Sequence, residues 1–222
     1  MARLIELHIM IYIRTSHLVY TLREGPGLII YIKGRNMMRI LVIFASHRLD
    51  GTNADIEEAM KSESDKFQFS FVHLADHKIE GCTSCHRCGK TGHCVLPISN
   101  TDRFQEIFDK MKIADAIFII SPVYAAIPTR LTALFERLTS VLYDSGAMNT
   151  DINPLRNKKV AIFSYCSCGI CDDIPIKIIF DKFVMKNYRF DKSTYRYLNA
   201  DKSPRDKYPD ITSYVMSTLR QL

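Results

Sequence analysis

The sequence predicts one α/β domain, a parallel sheet with helices on both faces, and three observations carry that reading. Short, continuous apolar runs recur from residue 40 onward, as expected of strands buried on both sides. Between them lie segments whose apolar residues repeat at helical spacing, so strand and helix alternate. At 222 residues the chain suits one substantial core, and beyond residue 37 no repeat, low-complexity tract or linker argues for a second domain.

Residues 1–37 read as an N-terminal extension to a domain spanning 38–222. Leu4 to Ile13 is apolar but interrupted by Glu6 and His8, too short to span a bilayer, and followed by no small-residue cleavage site. Leu18 to Leu22 and Leu28 to Ile32 flank Glu24-Gly-Pro-Gly27 and suit a small hairpin. Met37-Met38 immediately precedes a strand that would open a domain, so an upstream start codon is an alternative origin for this segment. Peptides from residues 1–36 in the protein purified from its own source would exclude that origin.

Ile40 to Ala45 is the first strand. Ser46-His-Arg-Leu-Asp-Gly-Thr-Asn53 follows, then a helix from about Ala54 to Lys61, with Thr52 or Asn53 as its cap. Phe67 to Leu74 is the second strand. Ser99 and Asp102 have the spacing of a capping box, and Phe104, Ile107, Phe108 and Met111 mark the buried face of the next helix. Ala116 to Ile120 is the third strand, ending at Ser121-Pro-Val-Tyr124. Leu131, Leu134, Phe135, Leu138 and Leu142 repeat the helical stripe. Val160 to Ser164 is the fourth strand, followed by a helix from about Pro175 and a weaker strand near Ser193 to Leu198. The last helix, after Pro204, places Ile211, Tyr214, Val215, Thr218, Leu219 and Leu222 on one face. Five strands fit the doubly wound, flavodoxin-like order 2-1-3-4-5.

All seven cysteines fall in two clusters, Cys82 to Cys94 and Cys166-Ser-Cys-Gly-Ile-Cys171. An odd count in tight clusters is a poor disulfide framework and points to a reducing, cytoplasmic compartment. Cys82, Cys85, Cys88 and Cys94 follow the pattern C-x2-C-x2-C-x5-C. Two-residue gaps let successive thiolates turn toward a common centre, and the Gly89 to Gly92 segment lets the chain fold back to bring a fourth. That pattern suits a 4Fe-4S cluster. Zinc, with His86 or His93 as further ligands, and redox-active thiols are the alternatives; both histidines otherwise read as solvated loop residues. Cys166, Cys168 and Cys171 read as small packing residues or a redox group.

The net charge is +6, and half of the excess lies in residues 1–37, where Arg3, Arg14, Arg23, Lys33 and Arg35 face only Glu6 and Glu24. With no basic run interleaved with aromatics, nucleic acid is excluded as the expected partner, and no apolar stretch argues for a membrane.

In a doubly wound sheet, ligands bind beyond the carboxyl ends of the strands where the strand order switches. Ser46, Arg48, Gly51, Thr52 and Asn53 form a hydroxyl-rich loop entering a helix N-terminus, a setting for phosphate. The loop lacks G-x-G-x-x-G and G-x-x-x-x-G-K-[ST], which disfavours a dinucleotide or triphosphate site. Pro122, Val123 and Tyr124 form a stiff loop that suits a flat, partly apolar ligand. Gly169, after the fourth strand, permits close approach.

From Met38 onward the chain resembles the flavodoxin-like NAD(P)H-dependent FMN reductases, and within them the iron-sulfur flavoproteins. The resemblance rests on Ser46-x-Arg48 with Gly51-Thr52-Asn53, the cysteine loop, Ser121-Pro-Val-Tyr124, and Leu131 to Arg137, where Glu136-Arg137 stands in place of the usual Asp-Arg. It implies FMN with its phosphate in the first loop and its ring against Pro122, Val123 and Tyr124. It also implies a four-iron cluster on Cys82, Cys85, Cys88 and Cys94, NAD(P)H as a candidate donor, a small-molecule or protein acceptor, and a homodimer or a tetramer. Two departures stand out. Thr52-Asn53 reverses the usual Asn-Thr, and Tyr165 to Cys171 replaces a glycine-rich loop. The expected function is electron transfer between FMN and a cluster or acceptor. The alternatives are an NAD(P)H-dependent FMN or quinone reductase without a cluster and, from another class, a zinc-stabilised interaction protein without enzymatic activity.

Overall fold

The structure is a computed structural model that describes residues 12–14, 17–24, 27–32, 37–96, 101–123, 127–148, 150–165, 177–184, 188, 190–191, 196–200 and 211–222. The chain divides into two compact units, Met1–Met37 and Met38–Leu222. In the first unit β1 (Tyr12–Arg14), β2 (His17–Glu24) and β3 (Gly27–Ile32) form an antiparallel sheet. Glu24 pairs with Gly27 across the turn, so the expected hairpin forms.

In the second unit the strands are β4 (Met38–Phe44), β5 (Phe67–His73), β6 (Ala116–Pro122), β7 (Lys159–Tyr165) and β8 (Arg196–Ala200). They lie in the order β5-β4-β6-β7-β8 with every neighbouring pair parallel. Strand order therefore switches between β4 and β6. All seven residues of β6 are buried, which explains its uninterrupted apolar run.

Alternate side chains of β4, β5, β6 and β7 feed two cores. On one face Ile40, Val42, Phe44, Phe118, Ile120 and Phe163 pack with α1 (Thr52–Lys61) and α5 (Ile211–Leu219). On the other, Leu41, Ile43, Ile117, Ile119 and Ile162 pack with α3 (Phe104–Ile113) and α4 (Thr129–Asp144). A short helix, α2 (Cys88–Thr91), lies within the cysteine loop.

Two local details differ from expectation, and two expectations fall partly outside the described residues. The first helix begins at Thr52, and its N-cap is Gly51 with no side-chain cap, so neither Thr52 nor Asn53 caps it. The third helix begins at Phe104, two residues past Asp102, whose Oδ1 accepts from the Phe104 N–H at 2.9 Å. Asp102 thus serves the helix entrance directly, and Ser99 lies outside the described residues. After β7, Ile179–Val184 forms a π-helical turn, while Pro175 lies outside the described residues. In α5 Met216 is buried and Tyr214 is 38% exposed. Both sit at margins of the apolar stripe, and the phenol is the one better left in water.

Candidate functional site

The end of β4 is where the sheet opens. β4 stays paired with β6 through Phe44 opposite Ile120, and the Ala45 N–H donates to the Ile120 carbonyl at 2.8 Å. Beyond that, β6 continues only with β7, pairing Ser121 with Ser164 and Pro122 with Tyr165, and the Val123 N–H donates to the Tyr165 carbonyl at 2.7 Å. The loop 46–53 therefore starts at the switch in strand order.

Each residue of that loop has a distinct placement. Ser46 is buried, and its Oγ accepts from the Arg48 N–H at 3.0 Å. The Arg48 guanidinium makes a bidentate pair with Asp50 at 2.8 and 2.9 Å, both side chains exposed. Arg48 holds the Asp50 carboxyl below the usual carboxylate range. Gly51 has φ 73° and ψ −144°, a combination closed to side-chain-bearing residues, and so turns the chain into α1. Thr52 is half-buried. Asn53 is 1% exposed; its Oδ1 accepts from the Tyr165 hydroxyl at 3.1 Å, while its Nδ2 has no partner. Ser164 is fully buried, and its Oγ also has none.

These features fit a ligand with a terminal anion. The first turn of α1 carries backbone donors without a side-chain cap, its dipole favours negative charge, and the buried Asn53 Nδ2 in that turn has no partner. Pro122 and Val123 are buried at the end of β6. Tyr124 and Gly169 lie outside the described residues, as do Cys166, Cys168 and Cys171. Sequence reasoning places Tyr165 only at the start of a candidate loop, without its bond to Asn53, and misses Ser164. The signal available was a hydroxyl-bearing Ser-Tyr pair ending an otherwise apolar strand.

The cysteine loop is held by α4. Arg137, Ser140 and Asp144 lie at i, i+3 and i+7 and so share one helix face. The fully buried Arg137 pairs with Asp102 at 2.5 Å and stacks its guanidinium 4.3 Å from the Phe104 ring centroid. Its Nη2 donates to Cys94 Sγ at 3.2 Å and to the Leu96 carbonyl. Asp102 Oδ2 accepts from the Glu80 N–H at 2.9 Å, so the pair grips the chain before and after the loop. Ser140 Oγ lies 3.1 Å from Cys82 Sγ. The Cys88 thiol donates to Asp144 Oδ2 at 3.1 Å. Burial and then the Asp144 carboxylate push this thiol up to about 12, while the same bond holds Asp144 below the usual carboxylate range. His86 contacts Asp144 at 3.3 Å from an exposed position, and His93 is also exposed. Gly89 is required by proximity, because a Cβ there would meet the Asp144 carbonyl oxygen at 2.9 Å.

Cys82, Cys85, Cys88 and Cys94 are all free thiols, Cys85 exposed and Cys88 buried. The donor set is chemically right for an iron-sulfur centre. Among the described residues no three His, Cys, Asp or Glu side chains converge on a metal position. The roles that sequence reasoning missed are those of Arg137, Asp102, Ser140 and Asp144. A polar row crossing an apolar helix was their signal.

Residues 38–170 match the family model described as NADPH-dependent FMN reductase, more than half of the chain. An iron-sulfur flavoprotein of Methanocaldococcus jannaschii is 34% identical over 103 residues, which cover 45% of this chain and 51% of that protein. An iron-sulfur flavoprotein of Methanosarcina thermophila is 33% identical over 72 residues, 32% of this chain and 36% of that protein. The chain thus spans about half or less of the length of these curated relatives. Among solved structures, an NAD(P)H:quinone oxidoreductase from Methanothermobacter marburgensis superposes with a TM-score of 0.55 at 13% identity, covering 83% of this chain and 94% of that one. At that identity the likeness is one of fold, the flavodoxin-like α/β fold with a parallel sheet.

Proposed function

Because the chain belongs to the NADPH-dependent FMN reductase family, we propose that it is an FMN-dependent oxidoreductase of the iron-sulfur flavoprotein kind, taking electrons from a small-molecule or protein donor, with NAD(P)H the candidate, and passing them to an acceptor. The observation that carries this reading is the buried, unpartnered Asn53 Nδ2 in the first turn of a helix with no side-chain cap. Ser46, Gly51, Thr52 and Asn53 hold the phosphate, and Arg48 adds charge at the rim. Pro122 and Val123 lie along the ring; Tyr124 and Gly169, expected from the sequence as further contacts, lie outside the described residues. Bound FMN supplies two-electron chemistry that can be released one electron at a time. The chain's contribution is binding, orientation and exclusion of water, and no side chain is assigned as a general acid or base.

Cys82, Cys85, Cys88 and Cys94 would hold a 4Fe-4S cluster in this reading, which the names of the curated relatives support. Loading it requires the Cys88 thiol to lose its proton and leave Asp144. A second reading, an NAD(P)H-dependent FMN or quinone reductase without a cluster, is supported by the family description alone. The proposal also includes a cytoplasmic setting and a homodimer or tetramer; among the described residues no helix is long and apolar enough to cross a membrane.

The test is anaerobic purification, an absorbance spectrum, and iron, sulfide, zinc and FMN measured per chain. About four irons with one FMN is the expected result. FMN without iron selects the plain reductase and makes NAD(P)H oxidation the next assay. Zinc with neither iron nor flavin defeats both readings in favour of an interaction protein. In a chain that carries both groups, Cys85→Ala is expected to remove the iron and leave FMN bound. The cysteine loop joins the core on the α3 and α4 face, whereas Tyr165, which holds Asn53, packs on the α1 face.

A further inference from the structure

Resting on the FMN reading above, we infer that Tyr165 is a positioning residue for the FMN phosphate, acting through the side-chain amide of Asn53. An asparagine amide presents one acceptor and two donor hydrogens, so its orientation decides whether it attracts or repels an anion. The Tyr165 hydroxyl donates to Asn53 Oδ1 at 3.1 Å and thereby occupies the acceptor side. What remains is Nδ2, a donor buried with a residue that is 1% exposed and without any partner. Buried donors are rarely left unmatched, and those that are call for a partner such as a bound ligand or an ordered water.

The position of that donor is equally specific. Asn53 is the second residue of α1, in a first turn that has no side-chain cap and carries the positive end of the helix dipole. Turned the other way, the amide would set Oδ1 against a phosphate oxygen. Tyr165 is itself fixed: its carbonyl accepts from the Val123 N–H at 2.7 Å, and its ring packs against the α1-side core. Its hydroxyl thus ties the end of β7 to the start of α1 across 112 residues of sequence.

The test uses the full chain stripped of flavin and titrated separately with FMN and with riboflavin, which carries the same ring but no phosphate. Tyr165→Phe keeps the ring and removes the hydroxyl. It is expected to weaken FMN about 5-fold to 10-fold, the scale of one hydrogen bond, and to leave riboflavin unchanged. Asn53→Asp keeps an acceptor for Tyr165 but replaces the amide donor with a negative charge, and is expected to weaken FMN about 100-fold or more, again sparing riboflavin. Equal losses for both flavins in Tyr165→Phe would overturn the inference by assigning the residue to the ring or the fold, and unchanged FMN affinity would overturn it too. A wild-type chain that binds neither flavin defeats the FMN reading itself, a failure distinct from these.

Discussion

The loop 46–53 and the cysteine loop 82–94 both leave the carboxyl ends of strands, and they are shaped by opposite means. The first is shaped by backbone. Gly51 turns it, α1 receives it, and its one guanidinium is spent on an exposed pair with Asp50. The second is shaped by side chains of another element, with Arg137, Ser140 and Asp144 of α4 reaching Cys94, Cys82 and Cys88. A loop built on backbone presents donors whatever its side chains do. A loop held by a buried ion pair stands or falls with that pair.

The largest expected effect therefore belongs to Arg137. Arg137→Met leaves the Asp102 carboxylate buried without its cation and releases both ends of the cysteine loop. Breaking one side of a buried pair costs about 3–5 kcal/mol. The loss should appear in urea unfolding, together with faster thiol labelling of Cys88 and Cys94. Asp102→Asn added to Arg137→Met should recover part of the loss, because the stranded charge is gone. A loss below about 1 kcal/mol would mean that the loop is held by something other than this pair.

Two glycines sharpen the contrast at an intermediate scale. Gly89→Ala drives a Cβ into the Asp144 carbonyl oxygen, a backbone atom that cannot swing aside. The expected cost is about 1–3 kcal/mol of overpacking, with faster Cys88 labelling and unchanged FMN affinity. Gly51→Ala meets nothing within 4 Å and pays only in torsion, because φ 73° with ψ −144° is closed to alanine. Its cost is also about 1–3 kcal/mol, but it should fall on FMN affinity and leave the thiols alone. If both variants moved both readouts together, the two loops would be one cooperative unit and the contrast would be lost.

The same contrast explains what the sequence disclosed. Strand and helix positions were legible because uniform apolar runs and 3.6-residue stripes follow directly from burial, and the switch point follows from strand order. The loop 46–53 was legible because its hydroxyls, its glycine and the helix behind it are contiguous. The partners of the cysteines were not. Arg137 lies 43 residues beyond Cys94 in sequence, and an arginine inside an apolar stripe carries no label for what it will meet across the fold. The bond from Tyr165 to Asn53 was hidden for the same reason, since it depends on how β7 and α1 face each other. The cysteine spacing also promised more convergence than appears. Cys88 is drawn into the core and onto Asp144, where burial favours the neutral thiol over the thiolate.

The smallest effect concerns Asp50, and it tests whether the first loop depends on side chains at all. Asp50 is exposed, and Arg48 holds its carboxyl below the usual carboxylate range, so it stays ionised above that range and the pair is lost only as pH falls through the depressed value. Across pH 5–8 the pair is therefore constant. A rise of FMN affinity in that window is then expected to follow the phosphate as it gains its second charge near pH ~6, and not the Arg48–Asp50 pair. Asp50→Asn takes a charged partner from the guanidinium and removes one negative charge from the loop, both in favour of an anion. FMN should bind about 3-fold more tightly at low salt, and the gain should vanish at high salt because exposed charges are screened. Riboflavin binding should not change. A larger gain that survives high salt would place Arg48 in direct contact with the phosphate, making the first loop, like the second, a structure of side chains rather than of backbone.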